Sequence, residues 1–405
     1  MRGRSVIPRI NLSCFLYDGS FYVVMTVVAL RAIELQASPI QLGLLPVLSS
    51  GSYVVAALIL GRLSDRWPRF TMARFGATVR AAAILGVIGA NDPVALLCWM
   101  PILGASNGFF WPGLQSVLGA LSAQDGLSRV LGSFNVSWSS GKMLGFFLGG
   151  FFLDRVGHAP VLVAAATVTF LIVLVLPWRE VPHSHGHPHA EDGELRIHGL
   201  APATDSERER IAVWSTWRQL GWAANFLLFG LGATLNFHYP KYLDEHGLGG
   251  GAIFGTFLGV VYLSQTLFFV LAGMWHRWPF RLAPLVMTQL GCAVGIAALL
   301  WLRSPVAIWA VAPLVGIGLG FAYASSIFYS LHGVSQRGHS TGIHEALLGS
   351  GSFLLPFLAG LLIDLSGSLS APYILLVGAL VSLIGFEAWR VGTLSGATLA
   401  RLRTR

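Results

Sequence analysis

Charged residues are scarce in this chain of 405 residues. Asp, Glu, Lys and Arg make up only 11% of it, whereas 54% is hydrophobic, and roughly a quarter of the residues in a soluble domain are charged. A chain of this composition cannot cover its apolar surface with polar side chains, which excludes a water-soluble globule. The apolar runs are about 20 residues long and lack the alternation of a transmembrane barrel. The sequence therefore predicts an all-α integral membrane protein.

Cysteine is scarce as well, and several motifs of known chemistry are missing. The three cysteines are too scattered for a metal motif or a disulfide framework. No Walker loop, nucleophile elbow or zinc-protease motif occurs. We therefore expect no enzymatic activity, no cofactor and no metal. The net charge of +8 comes from arginines in short loops, which indicates membrane orientation and argues against nucleic acid as a partner.

Hydropathy divides the chain into twelve predicted membrane spans, six before a polar segment and six after it. The loops concentrate arginine on one side of these spans. Because both termini and the polar segment lie on that side, the positive-inside rule predicts that all three are cytoplasmic. We expect a multi-pass protein of a bacterial-type cytoplasmic membrane. The predicted spans lie near 11–32, 40–61, 73–92, 95–120, 128–152, 159–178, 216–238, 251–273, 283–302, 306–331, 341–364 and 371–391.

Short motifs recur in the two halves at a nearly constant offset. "RWP" occurs at 66–68 and again at 277–279, and "GKMLGFFLGGFFLD" at 141–154 aligns with "GSFLLPFLAGLLID" at 351–364. A parallel repeat of six spans is the arrangement of transporters whose halves rock around a central site. The predicted organisation is an N-terminal six-helix bundle over 1–178, a cytoplasmic His-rich linker over 179–212 and a C-terminal six-helix bundle over 213–405.

The loop after the second predicted span reads "GRLSDRWPR". It resembles the motif G-x-L-x-D-R-x-x-R of the major facilitator superfamily, and with the twelve spans and the repeat the resemblance covers essentially the whole chain. The resemblance implies two pseudo-symmetric six-helix bundles and a loop that steadies the outward-facing state, since a carboxylate here can face a helix N-terminus of the other half. Alternatively, these charges only set the topology. The latch residues would be Gly61, Asp65, Arg66 and Arg69.

Charged residues inside predicted spans are costly and therefore candidates for function. Asp18 could bind a cationic substrate or carry a proton, or it could form a structural ion pair within the first bundle. Lys142 could pair with Asp18 or hold an anionic group of the substrate. We expect Arg80, in the third span, to snorkel or to cap a helix.

The eleventh span opens with a carboxylate beside an imidazole. Burial disfavours the charged form of Glu345, and the neighbouring His344 is of a type that titrates near neutrality, so the pair suits proton exchange. Alternatively, Glu345 lies where a carboxylate favours a helix N-terminus.

Polar and aromatic side chains concentrate in the fourth, fifth, seventh, eighth and tenth spans. They predict a pocket near the membrane midplane with aromatic walls, although each could instead serve helix packing. The predicted lining residues are Asn107, Trp111, Gln115, Asn135, Trp138, Asn236, Tyr262, Gln265, Tyr323 and Tyr329.

The fifth span, "GKMLGFFLGG", resembles the pattern G-x-x-x-G-P-x-x-G-G of proton-coupled exporters in the superfamily, with Phe146 in place of proline. Its glycines predict a groove for close packing against a partner span. In the fourth span, Gly104 stands where the family pattern has arginine. Proton coupling would therefore have to come from Asp18 or Glu345. The packing glycines are Gly141, Gly145, Gly149 and Gly150.

The predicted linker contains "HSHGHPHAEDGELRIH". Alternating histidines can bind Zn²⁺ or Ni²⁺ loosely, but no scaffold in the sequence orients them, and we expect a solvated linker. The histidines are His183, His185, His187, His189 and His198.

Together these features predict a secondary active transporter that works by alternating access. We expect a proton-coupled antiporter that exports a small organic solute or drug, with that solute, protons and the lipid bilayer as its partners, and the fold implies a monomer. One alternative is a proton-coupled importer of a nutrient or metal chelate. Another is a membrane sensor or partner protein that does not transport.

Overall fold

The chain folds into α-helices throughout the part that the structure describes. The computed structural model describes residues 6–63, 67–125, 127–179, 205–275, 277–332 and 337–394, and these ranges contain no β-strand. The predicted all-α fold is confirmed. The helices are α1 (Val6–Glu34), α2 (Pro39–Leu63), α3 (Arg69–Ile88), α4 (Pro93–Asp125), α5 (Leu127–Val156), α6 (His158–Val175), α7 (Asp205–Glu245), α8 (Gly251–Met274), α9 (Leu282–Leu299), α10 (Pro305–Leu331), α11 (Arg337–Ser366) and α12 (Ala371–Gly392).

Eleven of these helices are long and apolar enough to cross a membrane. The exception is α5, where Asn135, Lys142 and several serines lower the hydropathy. With 30 residues it is nevertheless about 45 Å long, more than the ~30 Å of a bilayer's hydrocarbon core. The outward faces of the bundle expose large apolar side chains such as Phe75, Phe170 and Met287, as contact with lipid requires. The chain is a multi-pass membrane protein.

Several helices extend beyond the predicted spans. The clearest case is α7, which begins at Asp205, seven residues before the predicted end of the linker. Its first residues read "DSERER". Glu and Arg favour helix and acidic residues favour a helix N-terminus, so this segment is helical although it is polar. Hydropathy detects the apolar part of a helix and misses such polar extensions.

The same set of helix pairs occurs in both halves. In the first half, α1 packs on α5, α2 on α4, and α3 on both α4 and α6. In the second half, α7 packs on α11, α8 on α10, and α9 on both α10 and α12. The predicted sequence repeat therefore corresponds to a repeat in packing.

The two halves meet mainly through α5 against α8 and α2 against α11. A Cβ atom on Gly255 would lie 2.6 Å from the carbonyl oxygen of Phe146, and one on Gly43 would lie 2.7 Å from that of Pro356. Only glycine allows such close approach of two backbones. These contacts lie towards the end of the bundle that carries the loops 35–38, 157, 246–250 and 367–370, which we call the closed end.

Candidate functional site

A cavity of about 220 Å³ lies between the two halves. Its described walls come from α1, α2, α4 and α5 of the first half and from α7, α8, α10 and α11 of the second, whereas α3, α6, α9 and α12 contribute none of them. The volume is below the roughly 300–1,000 Å³ of pockets for drug-sized ligands, so in this conformation the cavity suits a compact solute.

Ten of the fourteen residues predicted for proton coupling, substrate charge or cavity lining meet in this cavity. Asp18 and Lys142 line it from the first half, and Glu345 lines it from the second. Ser49, Ser50 and Tyr53 also line it, and the polar run "SSGSY" in the second span was the signal that sequence analysis overlooked. The predicted polar and aromatic residues in the lining are Asn107, Trp111, Gln115, Trp138, Asn236, Tyr262 and Tyr323.

Three of the predicted lining residues have other surroundings and do not belong to the described lining. The side chain of Asn135 accepts a hydrogen bond from the indole of Trp138 at 3.1 Å. The hydroxyl of Tyr329 accepts one from the backbone N–H of Phe280 at 2.9 Å. Gln265 is fully buried, and its amide has no hydrogen-bond partner among the described residues. The sequence shows which positions on these spans are polar, but it does not show which face of each helix lines the cavity.

Lys142 contacts aromatic rings and forms no ion pair with a described carboxylate. Its ammonium lies 4.0 Å from the ring centre of Tyr262 and 4.4 Å from that of Tyr22. Within the described residues, Arg31 and Glu34 form the only salt bridge. The predicted pairing of Lys142 with Asp18 is therefore not formed, although both side chains line the cavity.

The predicted pair of His344 and Glu345 is divided between two environments. Glu345 lines the cavity, and no described cation lies within 4.0 Å of it. His344 is fully buried, and its Nδ1 lies 2.7 Å from the hydroxyl of Ser326 and 3.4 Å from the amide nitrogen of Asn225. Adjacent residues on a helix point about 100° apart, so the imidazole packs between helices while the carboxylate faces the cavity.

Arg80 is buried inside the first bundle, so the prediction that it snorkels was wrong. Its guanidinium donates to the hydroxyl of Ser106 at 3.1 Å, to the carbonyl of Tyr17 at 3.2 Å and to the side-chain oxygen of Asn107. It also stacks on the Tyr17 ring at 3.5 Å. These neutral acceptors satisfy a charge that would otherwise be prohibitive at this depth. Arg80 thereby joins α1, α3 and α4 behind Asp18.

The glycines of α5 face two different helices. A Cβ atom on Gly141 would lie 2.2 Å from the carbonyl oxygen of Phe15, and one on Gly145 would lie 2.4 Å from that of Gly19. Gly149 continues this line along α1. Gly150 instead faces the other half, since a Cβ there would lie 2.0 Å from the carbonyl oxygen of Gly251 in α8.

At the closed end, a carboxylate of the first half caps a helix of the second. Asp154 accepts hydrogen bonds from the backbone N–H groups of Gly251 at 2.8 Å and Ala252 at 2.7 Å. The N-cap residue of α8, Gly250, has no side chain to do this. Free N–H groups at a helix N-terminus favour a carboxylate. Asp154 was not predicted from the sequence, although the glycine-rich segment "GLGGGA" at 247–252 indicates a helix start without a side-chain cap.

The corresponding contact in the other half is built differently. Helix α2 is preceded by Ser38, whose backbone N–H donates to the Gln41 side chain at 2.8 Å while its hydroxyl accepts from the Gln41 N–H at 3.3 Å. This reciprocal capping box needs no partner from the other half. Asp364, which aligns with Asp154 in the repeat, is exposed.

The predicted latch and the histidine linker lie largely outside the described residues. Asp65 and Arg66 belong to the segment 64–66, and the five linker histidines belong to 180–204. Gly61 lies in the last turn of α2, and Arg69 opens α3 with its side chain half-buried. The latch therefore stays a prediction.

Known proteins resemble this chain in sequence and in fold. Quinolone resistance protein NorA of Staphylococcus aureus (strain MRSA252) is 21% identical over 364 residues, which is 85% of each chain. A variant of the nucleoside transporter NupG superposes with a TM-score of 0.75 at 12% identity and covers 95% of this chain and 99% of its own. A bacterial homologue of the lysosomal transporter Spinster, inward-facing and unoccupied, gives 0.67 at 15% identity, with 96% and 95% covered.

The match to a family extends over most of the sequence. Residues 10–343 match the family model of the Major Facilitator Superfamily. The solved structures just described share this helical architecture from end to end, and their low identity limits that likeness to the fold. By its sequence and its fold, the chain belongs to the Major Facilitator Superfamily.

Proposed function

We propose that this transporter is a proton-coupled antiporter that exports a small organic solute by alternating access. The observation that carries the proposal is the cavity between the halves, which holds Asp18 from one half and Glu345 from the other. Neither carboxylate forms an ion pair within the described residues. A carboxylate without a fixed cation can take a proton in one state and a substrate cation in the other.

The contacts at the closed end support alternating access. Backbones of α5 and α8, and of α2 and α11, approach each other closely there, and rocking of the halves would open this end and close the other. With both termini in the cytoplasm of the cell, the closed end faces outward. We expect a monomer in the cytoplasmic membrane.

Two observations support export as the direction of transport. NorA, which aligns with 85% of this chain, is named for quinolone resistance, and resistance to a compound is consistent with its removal from the cell. The glycine pattern of α5 points the same way. Import by proton symport is the competing outcome, and it predicts the opposite movement of protons relative to solute.

Inside-out vesicles test the proposal directly. Energised vesicles carrying a pH-sensitive dye are challenged with a panel of organic cations, anions, sugars and metals. A transported solute should release protons from the lumen with the wild type, and Asp18→Asn and Glu345→Gln should each reduce that release. Asp364→Asn is the matched control, because it removes a carboxylate that lies outside the cavity lining. Uptake of a solute by right-side-out vesicles, with no proton release from inside-out vesicles, would show import instead.

A further inference from the structure

The ammonium of Lys142 lies among three aromatic rings that come from both halves. The rings belong to Tyr22 of α1, Phe229 of α7 and Tyr262 of α8, and we call these three side chains the cage. Nζ lies 4.4 Å, 5.9 Å and 4.0 Å from their respective ring centres. A cation within about 6 Å of a ring face is attracted by the ring's quadrupole. In this structure the cage holds a cation of the protein itself, the ammonium of Lys142.

The cage is a preformed part of the cavity wall. Tyr262 stacks on Phe146 with ring centres 5.0 Å apart and an angle of 10° between the planes, and Phe146 also contacts Tyr22 at 4.8 Å. These contacts fix two of the three rings, and all three cage residues belong to the cavity lining. Rings arranged in this way are the means by which proteins recognise alkylated ammonium groups.

A carboxylate on the neighbouring helix α1 lines the same cavity as Lys142. Asp18 and Lys142 line the same cavity, and α1 lies against α5 at Gly141 and Gly145 with almost no space between the backbones. Asp18 is adjacent in sequence to Gly19, which Gly145 touches. The lysine stem is long and flexible, so we expect its ammonium to reach this carboxylate when the side chain rotates away from the rings.

We propose that the cage is the binding site for the ammonium group of an organic cation, and that Lys142 is a tethered occupant which this ligand displaces. The displaced Lys142 pairs with Asp18, and Glu345, which has no described cation within 4.0 Å, offsets the charge of the ligand. This inference rests on the proposed function, because it names the class of solute for the same cavity.

Displacement would also connect binding to movement of the halves. Lys142 belongs to the first half, whereas Phe229 and Tyr262 belong to the second, so the present contact links the halves across the cavity. Entry of the ligand replaces this link by an ion pair within the first half. A ligand that changes contacts between two rigid units shifts the balance between their arrangements.

Binding to the purified full-length protein tests the inference without any gradient. Tetraethylammonium and choline serve as probes, and isothermal titration calorimetry measures their dissociation constants. Because Lys142→Met removes the competing cation and keeps an unbranched side chain only one atom shorter, it should tighten binding about tenfold. Lys142→Arg keeps a competing cation and should bind as weakly as the wild type.

The two substitutions of Tyr262 form a matched pair. Tyr262→Phe and Tyr262→Leu both remove the hydroxyl, but only the first keeps the ring. Binding of tetraethylammonium should survive in the phenylalanine variant and fall about tenfold in the leucine variant. Equal losses in both variants would show that the ring does not hold the cation. This pair also tests the cage if Lys142→Met does not fold.

Two results would overturn the inference. Unchanged cation binding in Lys142→Met would show that the lysine does not compete for the cage. Binding of benzoate to the wild type that Lys142→Met abolishes would show that Lys142 is a ligand for an anionic substrate. Failure of the proposed function looks different, because cation binding would then follow these expectations while the vesicles release no protons.

Discussion

Replacing Asp154 by asparagine should destabilise the closed end without altering the cavity. Asparagine keeps the size of the side chain and one oxygen acceptor. It loses the negative charge. Its NH₂ group would also face one of the two backbone N–H groups that now donate hydrogen bonds to Asp154 at 2.8 Å and 2.7 Å. Because Gly250, the N-cap residue of α8, makes no side-chain hydrogen bond to the helix, no other side-chain cap replaces the contact.

The size of the effect follows from the two parts of the contact. Loss of a side-chain N-cap costs about 0.5–2 kcal/mol, and loss of a charge at a helix N-terminus costs about 0.3–1 kcal/mol at exposed positions. Asp154 is exposed and the two parts overlap, so we expect about 1–2 kcal/mol in total. The ratio of closed to open arrangements at this end should then fall about 5- to 30-fold.

Distances between spin labels across the closed end measure this ratio. The labels are placed at Asn91 and Ser304, which are exposed and belong to different halves, after Cys98, which is also exposed, is replaced by alanine. Asp154→Asn should raise the population with a long separation. Asp364→Asn is the control at the equivalent position of the repeat. Identical distance distributions in the two variants would refute the reasoning.

Three further substitutions test the packing in thermal unfolding or distance measurements. Arg80→Lys keeps the charge but cannot reach all three acceptors, so the protein in detergent should lose about 1–3 kcal/mol of stability, whereas Arg155→Lys at an exposed site should change little. Trp278→Ala removes a buried ring and should lower the free energy of unfolding by about 3–5 kcal/mol. Trp67→Ala, in the other copy of "RWP", removes a half-exposed ring and should lower the free energy of unfolding by far less. Similar melting temperatures for the two variants would contradict this. Gly255→Val introduces a side chain where a Cβ would lie 2.6 Å from a carbonyl oxygen, so the same spin labels should report an open end, and an unchanged short distance would exclude the glycine contact as a requirement for closure.

The number and type of the helices could be predicted from the sequence because apolar length determines them. Which polar residues face the cavity and which face a neighbouring helix could not be predicted. His344 and Glu345 are neighbours in sequence, yet one packs between helices and the other lines the cavity. Arg80 was likewise expected to snorkel or to cap a helix, whereas it is buried and its burial depends on acceptors in two other helices. These outcomes depend on helix rotation, which hydropathy does not encode.

The sequence repeat corresponds to the same helix pairs in both halves, but it does not predict the side-chain contacts of each half. Trp67 and Trp278 occupy the same place in the two copies of "RWP", but Trp278 is buried against Phe321 and Phe328 whereas Trp67 is half exposed. Asp154 and Asp364 align as well, and only Asp154 caps a helix. A repeat in sequence preserves backbone positions, while each half has its own side-chain contacts.

Because Asp154 caps α8 from the other half, this residue can affect the rate of transport without affecting which solutes the cavity binds. Asp154 lies twelve residues beyond Lys142 on α5, which is about 18 Å along the helix axis, and it belongs to no part of the cavity lining. A change there alters the lifetime of one conformation and leaves the chemistry of the cavity intact. Natural variation at this position could therefore adjust turnover while the range of solutes stays constant.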